Sequence, residues 1–377
     1  MLIDNEIKEL IKKIDSTSNR DNQFNEHIRE LIIKLRFNCQ KPEAIKKYSS
    51  YSSTEGVLEK YPIDKNGYAI SFDPILEEEN FYKCWKHFGI VVGKSVISPK
   101  LKDVAIKRIY DLMLSLSGGL CDLTKPETWK SIPTDDNGTL LLSRGFFEIY
   151  HDKSLAELRQ AVHLYIHHVV IWGRVDLWTS FDRFGIKLPE HKESGGLPLH
   201  VDQNPNVHPN FKTLQGVLAL SDCPIERGTY IGVPGSKKYF PEYARMTEDR
   251  GEYVELDMPD KIAAILEKNA QPMPLRAGDI VSWDSRTTHA NSENISNQTR
   301  AVAYIAAGPA REENPELIKE RAVAFQNGSG KNVREALMHA SKPPRYTNPE
   351  NLQRSRQPEE LTLLGRLLYG KESYKTI

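Results

Sequence analysis

The residues of this chain best suited to chemistry are two histidines, an aspartate and an arginine. His200 and Asp202 lie two apart, and His289 and Arg300 follow in that order. In an extended strand, side chains two residues apart point to the same face, so His200 and Asp202 can hold one metal ion together. His289 would complete a two-histidine, one-carboxylate triad, which leaves part of the metal's coordination shell open and suits non-haem Fe(II) oxygenases. The position of Arg300, eleven residues beyond His289, fits a clamp for a carboxylate of 2-oxoglutarate.

The segments around these residues predict strands and turns. Gly228 to Ser236 predicts a strand that ends in a Pro-Gly turn, and Leu275 to Trp283 predicts a tight turn that feeds another strand. We expect His289 at the end of that second strand. Arg300 stands immediately before a new apolar strand, Ala301 to Ile305.

From about Phe81 to about Pro309, the chain resembles the phytanoyl-CoA dioxygenase-like family of Fe(II)/2-oxoglutarate-dependent oxygenases. The resemblance is carried by blocks at Phe88–Val92, Lys187–Pro189 with Pro198–Asp202, Gly228–Ser236, and His289 with Asn294, Ser296 and Arg300. In one departure from the family pattern, Lys187 is followed by a leucine where the family has a proline. Each block alone is common, whereas the ordered set is specific.

The resemblance implies a role for each matching residue. It implies three iron ligands: His200, Asp202 and His289. Arg300 would pair with the distal carboxylate of 2-oxoglutarate, because its planar guanidinium suits two parallel hydrogen bonds. The family often has a serine two residues after the second histidine, which helps to hold that carboxylate. Here the position is Asn291, with Ser292 beside it, and an amide can donate the same hydrogen bond.

The implied reaction is the hydroxylation of an unactivated C–H bond. 2-Oxoglutarate would take two of the open metal positions and dioxygen the last, and decarboxylation would give succinate and carbon dioxide. The protein would contribute geometry, exclusion of water and tuning of the metal. In related halogenases a small residue replaces the carboxylate ligand, so the aspartate at position 202 favours hydroxylation or desaturation.

The substrate is the part of the function that the sequence defines least. Polar or aromatic residues near the predicted strands could contact it: Arg183, Trp178, Gln203, Asn204 and Arg286. For each of them, a structural role such as a surface salt bridge is the simpler interpretation. We expect a small polar metabolite, such as an amino acid or a natural-product intermediate.

A second group of histidines also has spacing of interest. His163 and His167 are four apart, so a helix would place them on one face, with His168 adjacent. Zinc peptidases place a glutamate directly after the first histidine, but this chain has Leu164 there. We therefore predict an amphipathic helix over Leu155 to Val170 with structural histidines.

Composition limits the partners that the protein can have. Lys and Arg together number 51, as do Asp and Glu, and a net charge near zero does not favour general nucleic-acid binding. The four cysteines lack C-x-x-C spacing and fit a reducing compartment. No apolar run reaches the roughly 20 residues that span a bilayer, and the charged N-terminus is unlike a signal peptide. We expect a cytoplasmic monomer or homodimer with a small-molecule substrate and neither nucleic-acid nor membrane partners.

The predicted architecture is mainly β with flanking helices, built on a double-stranded β-helix, or jelly roll. We expect a helical extension and linker over residues 1–66, a catalytic core over 67–310 and a helical or loop extension over 311–377. The first helices could pack on the core or form a dimer contact. Predicted C-terminal helices cover Pro315–Phe325, Val333–Ala340 and Leu361–Tyr369, with a loop over Ser341–Pro358.

The sequence leaves two other functions open. One is a metal-binding jelly-roll sensor or binding protein without oxygenase activity, because fold alone does not establish function. The other is a metal-dependent hydrolase that uses the same ligands, although no general base is evident beside them. Only the oxygenase would need both 2-oxoglutarate and dioxygen.

Overall fold

The computed structural model describes residues 1–17, 20–51, 56–246, 253–257, 259–331, 341–342, 347, 350 and 359–377. The α-helices in these ranges are α1 (Asn5–Ser16), α2 (Asn22–Cys39), α3 (Pro42–Ser49), α4 (Glu78–Phe88), α5 (Pro99–Leu116), α6 (Lys153–Arg159), α7 (Val162–Trp172), α8 (Asp260–Asn269), α9 (Pro315–Asn327) and α10 (Leu363–Tyr369). The strands in these ranges are β1 (Ile90–Gly93), β2 (Leu142–Ser143), β3 (Phe146–Phe147), β4 (Leu177–Thr179), β5 (Phe184–Lys187), β6 (Leu197–Gln203), β7 (Leu214–Ala219), β8 (Tyr230–Gly232), β9 (Tyr253–Asp257), β10 (Gln271–Met273), β11 (Ile280–Asp284), β12 (His289–Asn291), β13 (Arg300–Tyr304), β14 (Ala307–Pro309), β15 (Gly330–Lys331) and β16 (Ser341–Lys342).

Two antiparallel sheets form the centre of the molecule. The larger sheet has the strand order β1-β11-β7-β13-β5-β3-β2, with β14 joining β7 to β4. The smaller sheet has the order β10-β8-β12-β6-β9. Consecutive strands repeatedly change sheets, so each sheet is assembled from distant parts of the sequence, as in a jelly roll. The predicted fold is confirmed.

Helices cover the outer face of the larger sheet. Apolar residues of α1, α2, α4 and α7, such as Ile7, Leu31, Trp85 and Ile166, share one core cluster with residues of that sheet. Strands β5 and β11 are consequently buried along their whole length. The first two helices pack on the core, as predicted. No helix among the described residues has both the length and the apolar character needed to cross a membrane.

The helix predicted over Leu155–Val170 is divided in two, and this prediction was wrong. Helix α6 ends at Arg159, and Ala161 is extended (φ −64°, ψ 126°) before α7 begins. At the break, Gln160 accepts hydrogen bonds from the backbone N and the hydroxyl of Thr362, both at 2.9 Å. The interruption therefore coincides with contacts to a segment about 200 residues away, which the local hydrophobic periodicity cannot predict.

One other boundary differs from the predictions. The sequence predicts a loop or linker over the polar stretch 46–66, but α3 continues into it as far as Ser49. In the C-terminal region, α9 and α10 match two predicted helices. The third predicted helix, over 333–340, lies outside the described residues, as does most of the loop predicted over 341–358.

His289 does not lie at the end of the strand that precedes it. Strand β11 ends at Asp284, and His289 begins β12 in the other sheet. The chain turns between them because the Asp284 side chain accepts a hydrogen bond from the backbone N of Arg286 at 3.0 Å, and its carbonyl accepts one from Thr287 N at 2.8 Å. This turn takes His289 into the smaller sheet, beside strand β6, which carries the other two predicted ligands.

Candidate metal centre and active site

The three predicted metal ligands meet on neighbouring strands of the smaller sheet. Strand β12 pairs with β6 so that the Cα atoms of His289 and His200 are register partners. Asp202 lies two residues further along β6, on the same face. One potential ligand atom from each residue lies within 4.8 Å of the others, and the side chains of all three are buried. His200 Nε2 lies 3.6 Å from Asp202 Oδ1, and His289 Nε2 lies 3.5 Å from Asp202 Oδ2.

Backbone carbonyls orient both imidazole rings. His200 Nδ1 donates to the carbonyl of Pro198 at 2.7 Å, and His289 Nδ1 donates to the carbonyl of Thr287 at 3.0 Å. These hydrogen bonds place a proton on Nδ1, so Nε2 is the nitrogen of each ring that can bind a metal. Metal-binding histidines are typically held in this way by a carbonyl on the second nitrogen.

The Asp202 carboxylate is suited to a cation. Burial by itself raises the pKa of Asp202, but the contacts with His289 and His200 and a hydrogen bond from Gln215 lower it more, so the net pKa lies well below its usual range. Asp202 Oδ1 is buried and has no hydrogen-bond partner among the described residues. An ionised carboxylate close to the Nε2 atoms of two histidines fits a divalent metal.

The triad opens into a cavity of about 100 Å³ between the two sheets. Its walls combine the ligands with aromatic and polar side chains from both sheets. The lining residues are Arg144, Phe146, Asp182, Arg183, Leu197, His200, Asp202, Gln215, Gly216, Val217, Tyr230, Trp283, His289, Asn291, Tyr304, Ile305 and Ala306. The Trp283 ring lies 4.9 Å from that of His289 and 4.5 Å from that of Tyr230, so one wall is largely apolar.

Arg300 is a buried cation close to this cavity. It begins β13 and is the register partner of Lys187 on β5. The residue is 1% exposed, and none of its three guanidinium nitrogens has a hydrogen-bond partner among the described residues. The Cys223 thiol and the hydroxyl of Tyr304, a residue of the cavity wall, are its polar neighbours. Because an unpaired buried charge is costly, this guanidinium is suited to receive an anion.

Lys187 places a second buried basic group beside Arg300. Its Nζ donates to the carbonyls of Gly195 at 2.8 Å and Ser292 at 2.5 Å. Burial, reinforced by the positive charge of Arg300 and partly offset by Glu293, lowers the pKa of Lys187 to about 7. The amine is therefore poised to gain a proton if a negative charge enters the site.

Asn291 and Ser292 have different environments. Asn291 lines the cavity, and its Oδ1 has no hydrogen-bond partner among the described residues. Ser292 Oγ instead accepts from the backbone N of Thr229 at 2.8 Å and donates to the Thr229 carbonyl at 3.3 Å. Of the two, Asn291 is placed to contact a ligand in the cavity, whereas Ser292 joins β12 to the segment before β8.

Of the predicted substrate-contacting residues, Arg183 lines the cavity. Its guanidinium donates to Glu148 and Asp182 at 2.7 and 2.8 Å and lies over the Phe146 ring. Burial alone lowers the pKa of Arg183, but the two carboxylates raise it above its usual value. Arg183 is thus a charge-neutralised part of the wall.

The other four predicted substrate residues are outside the cavity lining. Trp178 packs against the Arg321 guanidinium, and Arg286 is paired with Asp284. Gln203 donates to the carbonyls of His208 and Asn210 and so shapes the loop after β6. The Asn204 side chain accepts from the backbone N of Asn206 within the same loop.

The second group of histidines does not converge. His163 Nε2 contacts Asp15 at 2.9 Å, whereas His167 Nε2 contacts Ser282 Oγ at 2.9 Å on the larger sheet. Burial, with the charge of His168, lowers the pKa of His167 well below its usual value, so this ring is neutral. Both contacts are those of structural histidines, as predicted.

The family model for phytanoyl-CoA dioxygenase matches residues 134–302, which include the triad and Arg300. Over these residues, which are less than half of the chain, the protein matches the phytanoyl-CoA dioxygenase family. The resemblance seen in the sequence is confirmed, and with it the class of enzyme, a non-haem iron and 2-oxoglutarate-dependent oxygenase.

Individual proteins resemble both the domain and the chain beyond it. Ava biosynthesis cluster protein O of Aspergillus versicolor is 24% identical over 253 residues, which are 63% of this chain and 80% of that protein. The structure of a hypothetical protein from Escherichia coli aligns over 93% of this chain and 94% of its own, with 16% identity and a TM-score of 0.51. The epimerase SnoN, solved with Fe3+, alpha ketoglutarate and nogalamycin RO, aligns over 62% of this chain and 83% of its own, with 16% identity and a TM-score of 0.41. The Escherichia coli likeness shows that the fold is shared well beyond the phytanoyl-CoA dioxygenase domain.

Sequence reasoning missed several residues of the domain's cavity. Gln215 donates to Asp202 Oδ2 at 2.7 Å, although it stands in an apolar strand with no motif around it. Tyr304 and Trp283 reach the cavity from the larger sheet. Strand alternation relative to Arg300 could have placed Tyr304 on the same face as the clamp, but no local signal distinguishes Gln215.

Proposed function

We propose that the domain hydroxylates an unactivated C–H bond of a small metabolite, with decarboxylation of 2-oxoglutarate to succinate and carbon dioxide. The observation that carries the proposal is the combination of an open His-Asp-His triad with a buried, unpartnered guanidinium. A structural metal site would need no such anion receptor. A hydrolase would need a general base beside the triad, whereas Gln215 is neutral and Asp202 belongs to the ligand set.

Each residue then has a specific task. Iron, when bound, would supply the activation of dioxygen, and three ligands would hold it: His200, Asp202 and His289. The Pro198 and Thr287 carbonyls fix the two rings, so the ligand set is organised before the metal arrives. Arg300 would receive the distal carboxylate of 2-oxoglutarate, with Asn291 contributing from the cavity wall. Trp283 and Tyr230 would keep water from the reacting side of His289.

The substrate class is a small polar metabolite, an amino acid or a natural-product intermediate. A cavity of about 100 Å³ supports a small group rather than a polymer at the metal. The name of the Aspergillus versicolor relative, a biosynthesis cluster protein, supports the natural-product alternative. The proposed core, residues 67–310, contains every residue assigned a task here, with extensions over 1–66 and 311–377.

The proposal is tested by an anaerobic titration of the metal-free protein with Fe(II) and then 2-oxoglutarate. We expect a visible metal-to-ligand charge-transfer band in the wild-type protein and none in His200→Ala, because chelation by the co-substrate needs the assembled site. Metabolites that stimulate succinate release in air would then identify the substrate. Bound metal without the band would contradict the proposal and favour the binding protein or the hydrolase.

Binding of 2-oxoglutarate is also expected to take up a proton. At pH 8, Lys187 is mostly neutral because its pKa is about 7. A carboxylate bound by the adjacent Arg300 favours the charged amine and raises that pKa. Calorimetry of 2-oxoglutarate binding to the Fe(II) protein, in two buffers of different ionisation enthalpy, should show proton uptake at pH 8. The uptake should be smaller at pH 6, where the amine is already charged.

The matched variant for this measurement is Lys187→Met, which keeps the length of the side chain without its charge. We expect it to lose the proton uptake at pH 8. Equal uptake by the variant and the wild-type protein would assign the proton to another group and place the bound carboxylate away from Lys187.

A further inference from the structure

The two carboxylate oxygens of Asp202 are held differently, and Gln215 makes the difference. Gln215 lies on β7 of the larger sheet, and its Nε2 donates across the cavity to Asp202 Oδ2 at 2.7 Å. Asp202 Oδ1 has no hydrogen-bond partner among the described residues. Apart from the two ligand histidines, Gln215 is the one side chain in the described part of the protein that contacts this carboxylate through a polar atom.

The orientation of the Gln215 amide is fixed by its partner. A flipped amide would place its oxygen against a carboxylate oxygen, so Nε2 faces Asp202 and Oε1 faces away. Gln215 Oε1 is buried without a hydrogen-bond partner among the described residues, and the side chain lines the cavity. Burying Oε1 without a hydrogen bond costs free energy. The presence of glutamine here therefore suggests that the hydrogen bond from its Nε2 to Asp202 has a function.

A carboxylate can bind a metal through one oxygen or two. Bound through one, it leaves three positions of an octahedral metal beside two histidines. Bound through both, it leaves two, which are too few for a chelating co-substrate together with dioxygen. A donor on one oxygen opposes the second mode, because that oxygen would have to exchange its hydrogen bond for the metal.

We propose that Gln215 is a positioning residue that keeps Asp202 bound to the metal through Oδ1 alone and so keeps a third position open for dioxygen beside 2-oxoglutarate. This inference rests on the proposed function. Because β7 belongs to the larger sheet and β6 to the smaller one, the hydrogen bond also sets the carboxylate against the wall opposite its own strand. Gln215 touches neither the metal nor the reacting atoms in this role.

The test uses the full chain and the variant Gln215→Leu, which matches the size of glutamine without its donor. Fe(II) binding and 2-oxoglutarate binding are measured separately under anaerobic conditions, the latter through the charge-transfer band. We expect both affinities to change less than about threefold, because a bidentate carboxylate still leaves two positions for 2-oxoglutarate. Succinate formation in air at saturating 2-oxoglutarate should fall roughly tenfold, the usual effect of losing a hydrogen bond to a charged group. The band should also shift or weaken, because the coordination changes.

Two further variants make the result specific. Gln215→Met repeats the loss of the donor with a more flexible side chain, in case leucine disturbs folding. Gln23→Leu makes the same change at an exposed position of α2, away from the cavity, and should leave both affinities and succinate formation close to the wild-type values.

Two outcomes would overturn the inference. One is an unchanged band and unchanged succinate formation in Gln215→Leu. The other is an equal loss of Fe(II) and 2-oxoglutarate affinity, which would mean that Gln215 supports metal binding in general. Absence of the band from the wild-type protein would instead count against the proposed function, so the two failures are distinguishable.

Discussion

Replacing Asp202 by glycine or alanine is expected to abolish substrate hydroxylation and coupled succinate formation. The change removes the one anionic ligand and leaves two neutral imidazoles to hold the metal. Loss of an outer-shell partner alone typically weakens metal binding about 10–100-fold, so loss of this ligand should weaken Fe(II) binding by on the order of a hundredfold or more. Calorimetry with Fe(II), or with Mn(II) as a redox-stable substitute, gives the affinity directly, and product analysis gives the activity.

The control for this variant is Asp103→Ala. Asp103 lies on α5 with its side chain 70% exposed, so its removal changes charge by the same amount away from the site. We expect the control to bind metal and turn over as the wild-type protein does. Normal hydroxylation by Asp202→Gly would remove this residue from the ligand set, whatever the geometry of the three side chains.

Replacing Arg300 by methionine is expected to separate co-substrate binding from metal binding. A hydrogen bond to a charged group contributes about 1.5–3 kcal/mol, so 2-oxoglutarate should bind roughly ten- to hundredfold more weakly. Fe(II) affinity should stay near the wild-type value, because Arg300 contacts none of the three ligands. Parallel titrations with Fe(II) and with 2-oxoglutarate measure the two affinities.

Arg300→Met is expected to weaken 2-oxoglutarate binding without lowering the stability of the ligand-free protein. Without 2-oxoglutarate, the Arg300 guanidinium is buried with its nitrogens unpaired and lies beside the basic side chain of Lys187. An apolar side chain of similar length removes that cost, so the melting temperature without ligands should not fall. The exposed Arg29 on α2 provides the control Arg29→Met, expected to change neither affinity. A large loss of stability with unchanged 2-oxoglutarate binding would show that Arg300 is structural.

The convergence of the three proposed ligands was predictable in part, because strand geometry places two of them on one face. His200 and Asp202 need only a two-residue period to share a face, and the family pattern supplied His289 and Arg300. What the sequence could not show was how His289 reaches the others. The turn after Asp284 sends the chain into the opposite sheet, and this depends on the pairing of β12 with β6 and β8, which local periodicity does not encode.

The substrate residues were predicted less well for a related reason. Arg286 and Gln203 are close to the ligands in sequence, but their hydrogen bonds go to Asp284 and to backbone carbonyls of the loop after β6. Distance along the chain therefore overstated their proximity to the cavity. Gln215 was missed for the converse reason, since it reaches Asp202 from a strand of the other sheet.

The division of the site between the two sheets makes the core a determinant of reactivity. The three proposed metal ligands belong to the smaller sheet, whereas Arg300, Lys187 and Gln215 belong to the larger one. The distance from the proposed metal to the proposed carboxylate clamp thus depends on the spacing of the two sheets, which the apolar side chains packed between them maintain. Laboratory evolution could aim at a 2-oxo acid co-substrate of different length, or at a different efficiency of coupling between 2-oxoglutarate consumption and substrate hydroxylation. Either selection should yield substitutions in the packing between the two sheets as readily as changes in the cavity wall.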